Sequence, residues 1–207
     1  MQQTTEQEAI TRPVSGKAQI RVQTQRERIL SAAQKCFIED GFHAASMASI
    51  AATAAMSPGL IYRYFNSKNE IIIAIIERQL ICLRTEIAML DDTVNLAERL
   101  TTRYGNCGTG LTPGLSPALV LEMSAEATRD PDIAAAVAAF DSTLRTDISS
   151  WLDRLNRGKI TTNTDSRAFI LQCLIDGLKV RQTREPHIDR GLLRTALNEI
   201  LPLLTRP

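Results

Sequence analysis

Residues 46–68 read Ser46-Met47-Ala48-Ser49-Ile50-Ala51-Ala52-Thr53-Ala54-Ala55-Met56-Ser57-Pro58-Gly59-Leu60-Ile61-Tyr62-Arg63-Tyr64-Phe65-Asn66-Ser67-Lys68. Ser46 suits an N-cap, and Met47, Ile50, Ala51 and Ala54 follow at helical spacing. Ala55-Met56-Ser57 reads as a turn. Ser57 then caps again, Pro58 suits the first position of a new helix, and Leu60, Ile61 and Phe65 give that helix a buried side. Ser67-Lys68-Asn69-Glu70 has the form of a capping box, so a third helix starts at once. Two short helices at an angle, backed by a long one, are the pattern of a helix-turn-helix whose second helix enters the DNA major groove.

Charge agrees with that use. No Asp or Glu occurs from Gly41 to Asn69, although the chain carries 23 of them. Arg63 and Lys68 are the full charges in this stretch, and His43 can add to them. A surface that lies against phosphates excludes carboxylates first and gathers cations second. Tyr62 and Tyr64 fit as well, since a phenol can hydrogen-bond a phosphate while its ring packs.

The run Gly41-Phe42, Ser46-Met47, Ile50-Ala51, Ser57 to Phe65 and Ser67-Lys68 resembles the DNA-binding domain of the TetR family of bacterial transcriptional regulators. The resemblance covers about the first third of the chain beyond its polar start. It implies that Ser46 caps the second helix and touches phosphate, and that Ser57, Pro58, Gly59 and Tyr62 belong to the recognition helix. By the same resemblance Tyr64 contacts the DNA backbone and Lys68 opens helix 4. Together with Arg63 these are the expected DNA-binding residues. One position departs from the family pattern: the turn residue usually held by Gly is Ala55, which would cost on the order of 1 kcal/mol if its φ is positive.

Size and composition set the outer bounds. A chain of 207 residues with 44% hydrophobic and only 4% aromatic content favours packed helices over a β-sandwich. Net charge is +1, but residues 1–68 carry 8 Lys/Arg against 5 Asp/Glu while the rest carries 16 against 18. A basic head on a mildly acidic body fits a regulator better than a nucleoid-coating protein. Cys36, Cys82, Cys107 and Cys173 stand far apart without metal-site spacing, which fits reduced thiols. Three are expected in helical cores, and Cys107, in a glycine-rich loop, is a conceivable redox sensor. The start of the chain has no apolar secretory segment, and the longest apolar run, Ile133–Phe140, is too short to span a membrane. A cytoplasmic location is expected.

The fold class expected is all-α with about nine helices. Residues 1–23 are expected to be a disordered tail, residues 24–67 a helix-turn-helix domain opening on a capping box at Thr24–Glu27, and residues 68–207 a ligand-binding and dimerisation domain. Helix 4, about 68–90, is too apolar at its start to be a surface helix, so it links head to body. Further helices are expected at about 91–104, 117–128, 131–157 and 165–183, followed by a last one with the stripe Leu193, Ala196, Leu197, Ile200, Leu201, Leu204. In the family the last two helices form a four-helix bundle across a two-fold axis. A homodimer is therefore what the resemblance implies, against the alternative that both helices only close their own core.

No metalloprotease, nucleophile-elbow or Walker sequence is present, and the only histidines are His43 and His187. An enzyme, a cofactor and a metal site are not expected. The function expected is a repressor that binds an inverted-repeat double-stranded operator and is released by a small-molecule effector, with a transporter or efflux gene as its implied target. The alternative is a DNA-binding interaction protein of the same fold that works through a protein partner. Candidate effector contacts are Leu83, Met89, Leu96, Leu100, Arg103, Tyr104, Met123, Phe140 and Trp151. Glu122, Glu126 and Asp176 are added on the reasoning that interior carboxylates suit a lipophilic cation. The competing reading pairs Glu126 with Arg129, turns Glu122 to water and sets Asp176 at the dimer seam.

Overall fold

The computed structural model describes residues 16–90, 95–104, 116–156 and 163–205. Among them lie nine α-helices and no strand: α1 Gly16–Glu39, α2 Met47–Thr53, α3 Pro58–Ile61, α4 Lys68–Ala88, α5 Leu96–Arg103, α6 Pro117–Ala127, α7 Pro131–Leu155, α8 Thr164–Arg184 and α9 Arg190–Thr205. The glycine-rich loop with Cys107 lies outside the described residues, as do the first fifteen residues.

Helix starts follow local chemistry. Ser46 and Ser49 form a reciprocal capping box at α2. Ser67, Asn95, Ser116 and Asp130 each accept a backbone N–H at the first turn of α4, α5, α6 and α7. At α4 the box is incomplete, because the Glu70 carboxylate accepts from the Asn66 amide instead of from Ser67. Helix α1 begins at Gly16, so residues 16–23 extend the helix and are not tail. Thr24 is interior to it and its hydroxyl donates to the Ile20 carbonyl at 2.9 Å. Lys17, Gln19, Arg21 and Gln23 are good helix formers with no breaker among them, which lets the helix run past the expected cap.

Ala55 ends the turn after α2 with φ +50, the left-handed conformation that its place in the motif requires. Its N–H reaches the Ala52 carbonyl, and the Met56 N–H reaches that of Ala51, both at 2.9 Å.

Two apolar cores meet along α4. The first packs Ile29, Phe37, Ile50, Ile61 and Phe65 of the head around Ile71, Ile72 and Ile75, and also takes Leu119, Met123 and Ile133 from α6 and α7. The head is thus seated on the body by buried hydrocarbon. The second core gathers Ala97, Tyr104, Ile148, Trp151, Leu171 and the α9 stripe Leu193, Leu197, Leu201, Leu204. Ala196 and Ile200, expected on that stripe, are exposed. Cys36 is buried as expected, but Cys82 is only partly covered and Cys173 is exposed.

Candidate nucleic-acid interface and effector cavity

In the head, α1 and α4 hold α2 and α3 from behind. Arg26 donates to the Tyr64 carbonyl at 2.8 Å and lies 4.1 Å over the Phe65 ring, while Arg28 donates to the Ala55 carbonyl at 3.2 Å. These bonds fix both ends of α3. Ser57, Pro58, Gly59, Tyr62 and Arg63 are left on one exposed stretch, with Tyr62 53% exposed. Ser57 caps α3 by backbone geometry alone, so its hydroxyl is available to an outside partner. Ser46 is exposed as well but engaged with Ser49, and Tyr64 is half-buried against the first core.

Lys68 departs from this surface. Its ammonium turns inward to the carbonyls of Phe42 at 2.6 Å and Ala45 at 2.9 Å, and sits 4.3 Å over the Phe42 ring. Burial lowers its pKa, and the nearby Glu126 carboxylate acts against that. The residue ties the α1–α2 turn to α4.

Glu122 and Glu126 do not face the interior of the body. The Glu122 carboxylate accepts the Phe42 amide at 2.9 Å, and a Cβ on Gly41 (φ +78) would stand 3.9 Å from it. Glu126 lies 3.4 Å from His43 Nε2 and 3.6 Å from Arg129. Both acids grip the head because α6 runs past the end of α1, and their one-turn spacing puts them on the same side. The pairing of Glu126 with Arg129 matches the competing sequence reading, whereas Glu122 has a partner that no helical pattern could supply.

Behind the head, helices α4 to α8 line a partly open cavity of about 350 Å³. Leu83, Leu96, Leu100, Arg103, Tyr104, Met123, Phe140, Trp151 and Asp176 line it. Met89 does not; it is 73% exposed at the end of α4. The Tyr104 hydroxyl donates to the Glu185 carbonyl at 3.0 Å, and burial raises its pKa. Asp176 is paired with Lys179 at 3.0 Å.

Polar residues that the sequence reading missed also line the cavity. Glu86 is ion-paired with Arg103 and lies 3.8 Å from Arg99. Asp141 accepts from Gln172 at 3.1 Å, and burial, then the neighbouring Asp176, raise its pKa, against Lys179, Arg145 and the Gln172 hydrogen bond. A signal existed for part of this. Gln79 and Glu86 fall in register with Ile76 and Leu83 on α4, so they are polar positions on an apolar stripe.

Residues 29–75 match the family model of bacterial regulatory proteins of the tetR family, and residues 116–203 match that of tetracyclin repressor-like C-terminal domains. The HTH-type transcriptional regulator UidR of Escherichia coli (strain K12) is 32% identical over 170 residues, covering 76% of this chain and 80% of that protein. HbdR of Aromatoleum sp. (strain CIB) is 35% identical over 80 residues, 38% of this chain and 35% of that one. Among solved structures, Salmonella enterica GusR superposes with a TM-score of 0.68 at 27% identity, covering 88% of this chain and 95% of that chain. None of the helices among the described residues is long and apolar enough to cross a membrane. Head, body and relatives agree: the chain belongs to the TetR family of bacterial transcriptional regulators, which are DNA-binding proteins and not enzymes.

Proposed function

We propose that this regulator is a homodimeric repressor that binds an inverted-repeat operator through α3 and is released by a small lipophilic effector held among α4 to α8. A transporter or efflux gene is the target that the family resemblance suggests. The observation that carries the reading lies on α6. Met123 lines the cavity, and its neighbour Glu122 holds the Phe42 amide of the head. A ligand that moves α6 therefore acts on the head through one residue step, and its differential affinity for the two positions sets how far release goes.

Dimerisation is supported by the outer faces of the last two helices. Phe169 and Ile170 on α8, and Leu192, Ile200 and Leu203 on α9, are 40–69% exposed. Exposed apolar side chains gathered on the last two helices favour an association surface there, and a two-fold protein reads a two-fold site. The lipophilic cation reading has weaker support than the sequence suggested. Of its three carboxylates only Asp176 lines the cavity, and Lys179 already pairs with it.

Selection of bound duplexes from a random pool, followed by sedimentation of the complex, tests the first half. A two-fold symmetric site bound by two chains is expected, and a monomer that holds a half-site at full affinity would overturn it. Operator release in a compound library tests the second half. If DNA affinity ignores every compound, a protein partner becomes the better reading.

A further inference from the structure

Gln79 of α4 lines the cavity and is 9% exposed, yet its side-chain amide makes no hydrogen bond among the described residues. Its amide atoms are not among the buried ones that the protein seals off, so the exposure that remains is to the cavity it lines. Buried amides are normally paired, and one left without a partner costs free energy.

The other polar groups on the wall are already engaged. Glu86 is ion-paired with Arg103, Asp176 with Lys179, and Asp141 accepts from Gln172. The Ser124 hydroxyl donates to the Val120 carbonyl at 2.8 Å, and Tyr104 is bonded to Glu185. Gln182 is only half-buried.

The position of Gln79 is also distinctive. Ile76, Met123, Val137 and Phe140 line the cavity and belong to, or pack on, the first core, so they form its head-side end. Gln79 stands there, one turn along α4 from Ile76. Glu86 and its arginines lie two turns further along the helix, about 10 Å away. The head-side end is therefore hydrocarbon around one neutral amide, beside the Met123–Glu122 step that reaches the head.

A carboxamide offers an acceptor oxygen and a donor nitrogen side by side. Its complement is a second amide edge, with N–H beside C=O, which meets both atoms together. An ester or ketone meets only the nitrogen, and an ammonium group only the oxygen. Resting on the effector reading above, we infer that the effector is a lipophilic molecule with an uncharged amide edge, of the primary amide or lactam class, that pairs with the Gln79 side chain. Its apolar body lies against Leu83, Met123 and Phe140. A buried polar group matched in this way rejects analogues that leave it unpaired.

Calorimetric titration of the full-length protein with octanamide and methyl octanoate compares one chain length with two head groups, of which the ester cannot donate. The amide is expected to bind more tightly. In Gln79→Met the ratio of amide to ester affinity is expected to fall about tenfold, the worth of one hydrogen bond in a buried site. Ligand-free Gln79→Met is expected to melt no lower than the parent, because methionine fills a similar volume and removes an amide that has no partner to lose.

An amide no tighter than its ester in the parent, a ratio unmoved by Gln79→Met, or no binding by either compound would overturn the inference. So would a variant that melts well below the parent, since the amide would then be held by the protein itself. The effector reading fails separately. If octanamide binds as expected but operator DNA stays bound, the site stands and release through it does not. If the ester releases DNA as well as the amide does, release stands and the amide edge does not.

Discussion

Replacing Ala55 by glycine should stabilise the protein, and the amount can be worked from the turn. Ala55 is held at φ +50 by the two 2.9 Å hydrogen bonds that close the end of α2. Its carbonyl is held as well, by Arg28 at 3.2 Å. A left-handed L-residue costs about 1–2 kcal/mol, because Cβ crowds the following carbonyl. Glycine removes that cost but enters folding from a freer unfolded chain, which offsets about 0.4–1 kcal/mol of it. The net gain expected is about 1 kcal/mol, or a rise in melting temperature of about 2–4 °C for a chain of this size. Urea unfolding followed by circular dichroism gives the free energy directly. Ala52→Gly is the control: Ala52 is exposed and right-handed within α2, so glycine there should lose about 0.5–1 kcal/mol. Operator affinity should be unchanged in both, since neither side chain belongs to the exposed face of α3. An Ala55→Gly protein no more stable than the parent would refute the strain argument, and with it the left-handed turn.

Three further substitutions separate the roles assigned above. Arg63→Ala should flatten the slope of log binding constant against log salt by about 0.9, one phosphate's worth, whereas Lys68→Ala should leave the slope nearly intact and instead cost about 2 kcal/mol of stability by stranding two carbonyls; salt-dependent anisotropy and thermal melts distinguish the two. Ile170→Asp, on the exposed face of α8, should yield a folded monomer in sedimentation with strongly reduced affinity for the full operator. Asp141→Asn should be more stable than the parent at pH 7. Burial and Asp176 raise the Asp141 pKa above its ordinary 3.8, so its contribution to stability is fully present below that value and is lost as pH rises through the higher folded value. Melts across pH 3–8 should show the two proteins converging at the acid end.

Most of the helices could be read from the chain because their signals are local. Ser46, Ser116-Pro117 and Asp130-Pro131 place helix starts within one turn of themselves, and those starts appear where expected. Ala55 was marked as a strained turn by its place in the motif, and its φ is positive. Local signals also misled. Thr24–Glu27 has the form of a cap, yet nothing upstream of it stops the helix.

The sites divide along the same line. The exposed stretch Ser57–Arg63 is contiguous in sequence, so its chemistry and its carboxylate-free surroundings are visible in one reading. The partners of Glu122, Lys68 and Glu86 are not. Glu122 meets an amide 80 residues away, Lys68 meets carbonyls 26 and 23 residues away, and Glu86 meets an arginine 17 residues away. Helical periodicity tells that a side chain lies on a given face, but a face can look toward the head, the cavity or solvent. Packing of α6 across the end of α1 turned Glu122 and Glu126 to the head, and the placement of α5, packed on α9, brought Arg99 and Arg103 to Glu86. The sequence by itself determined the family, most of the helices and the exposed, carboxylate-free stretch proposed to meet DNA. Only the tertiary structure decided which acids join head to body and which polar residues line the cavity, because those depend on how separate helices pack and not on order within any one of them.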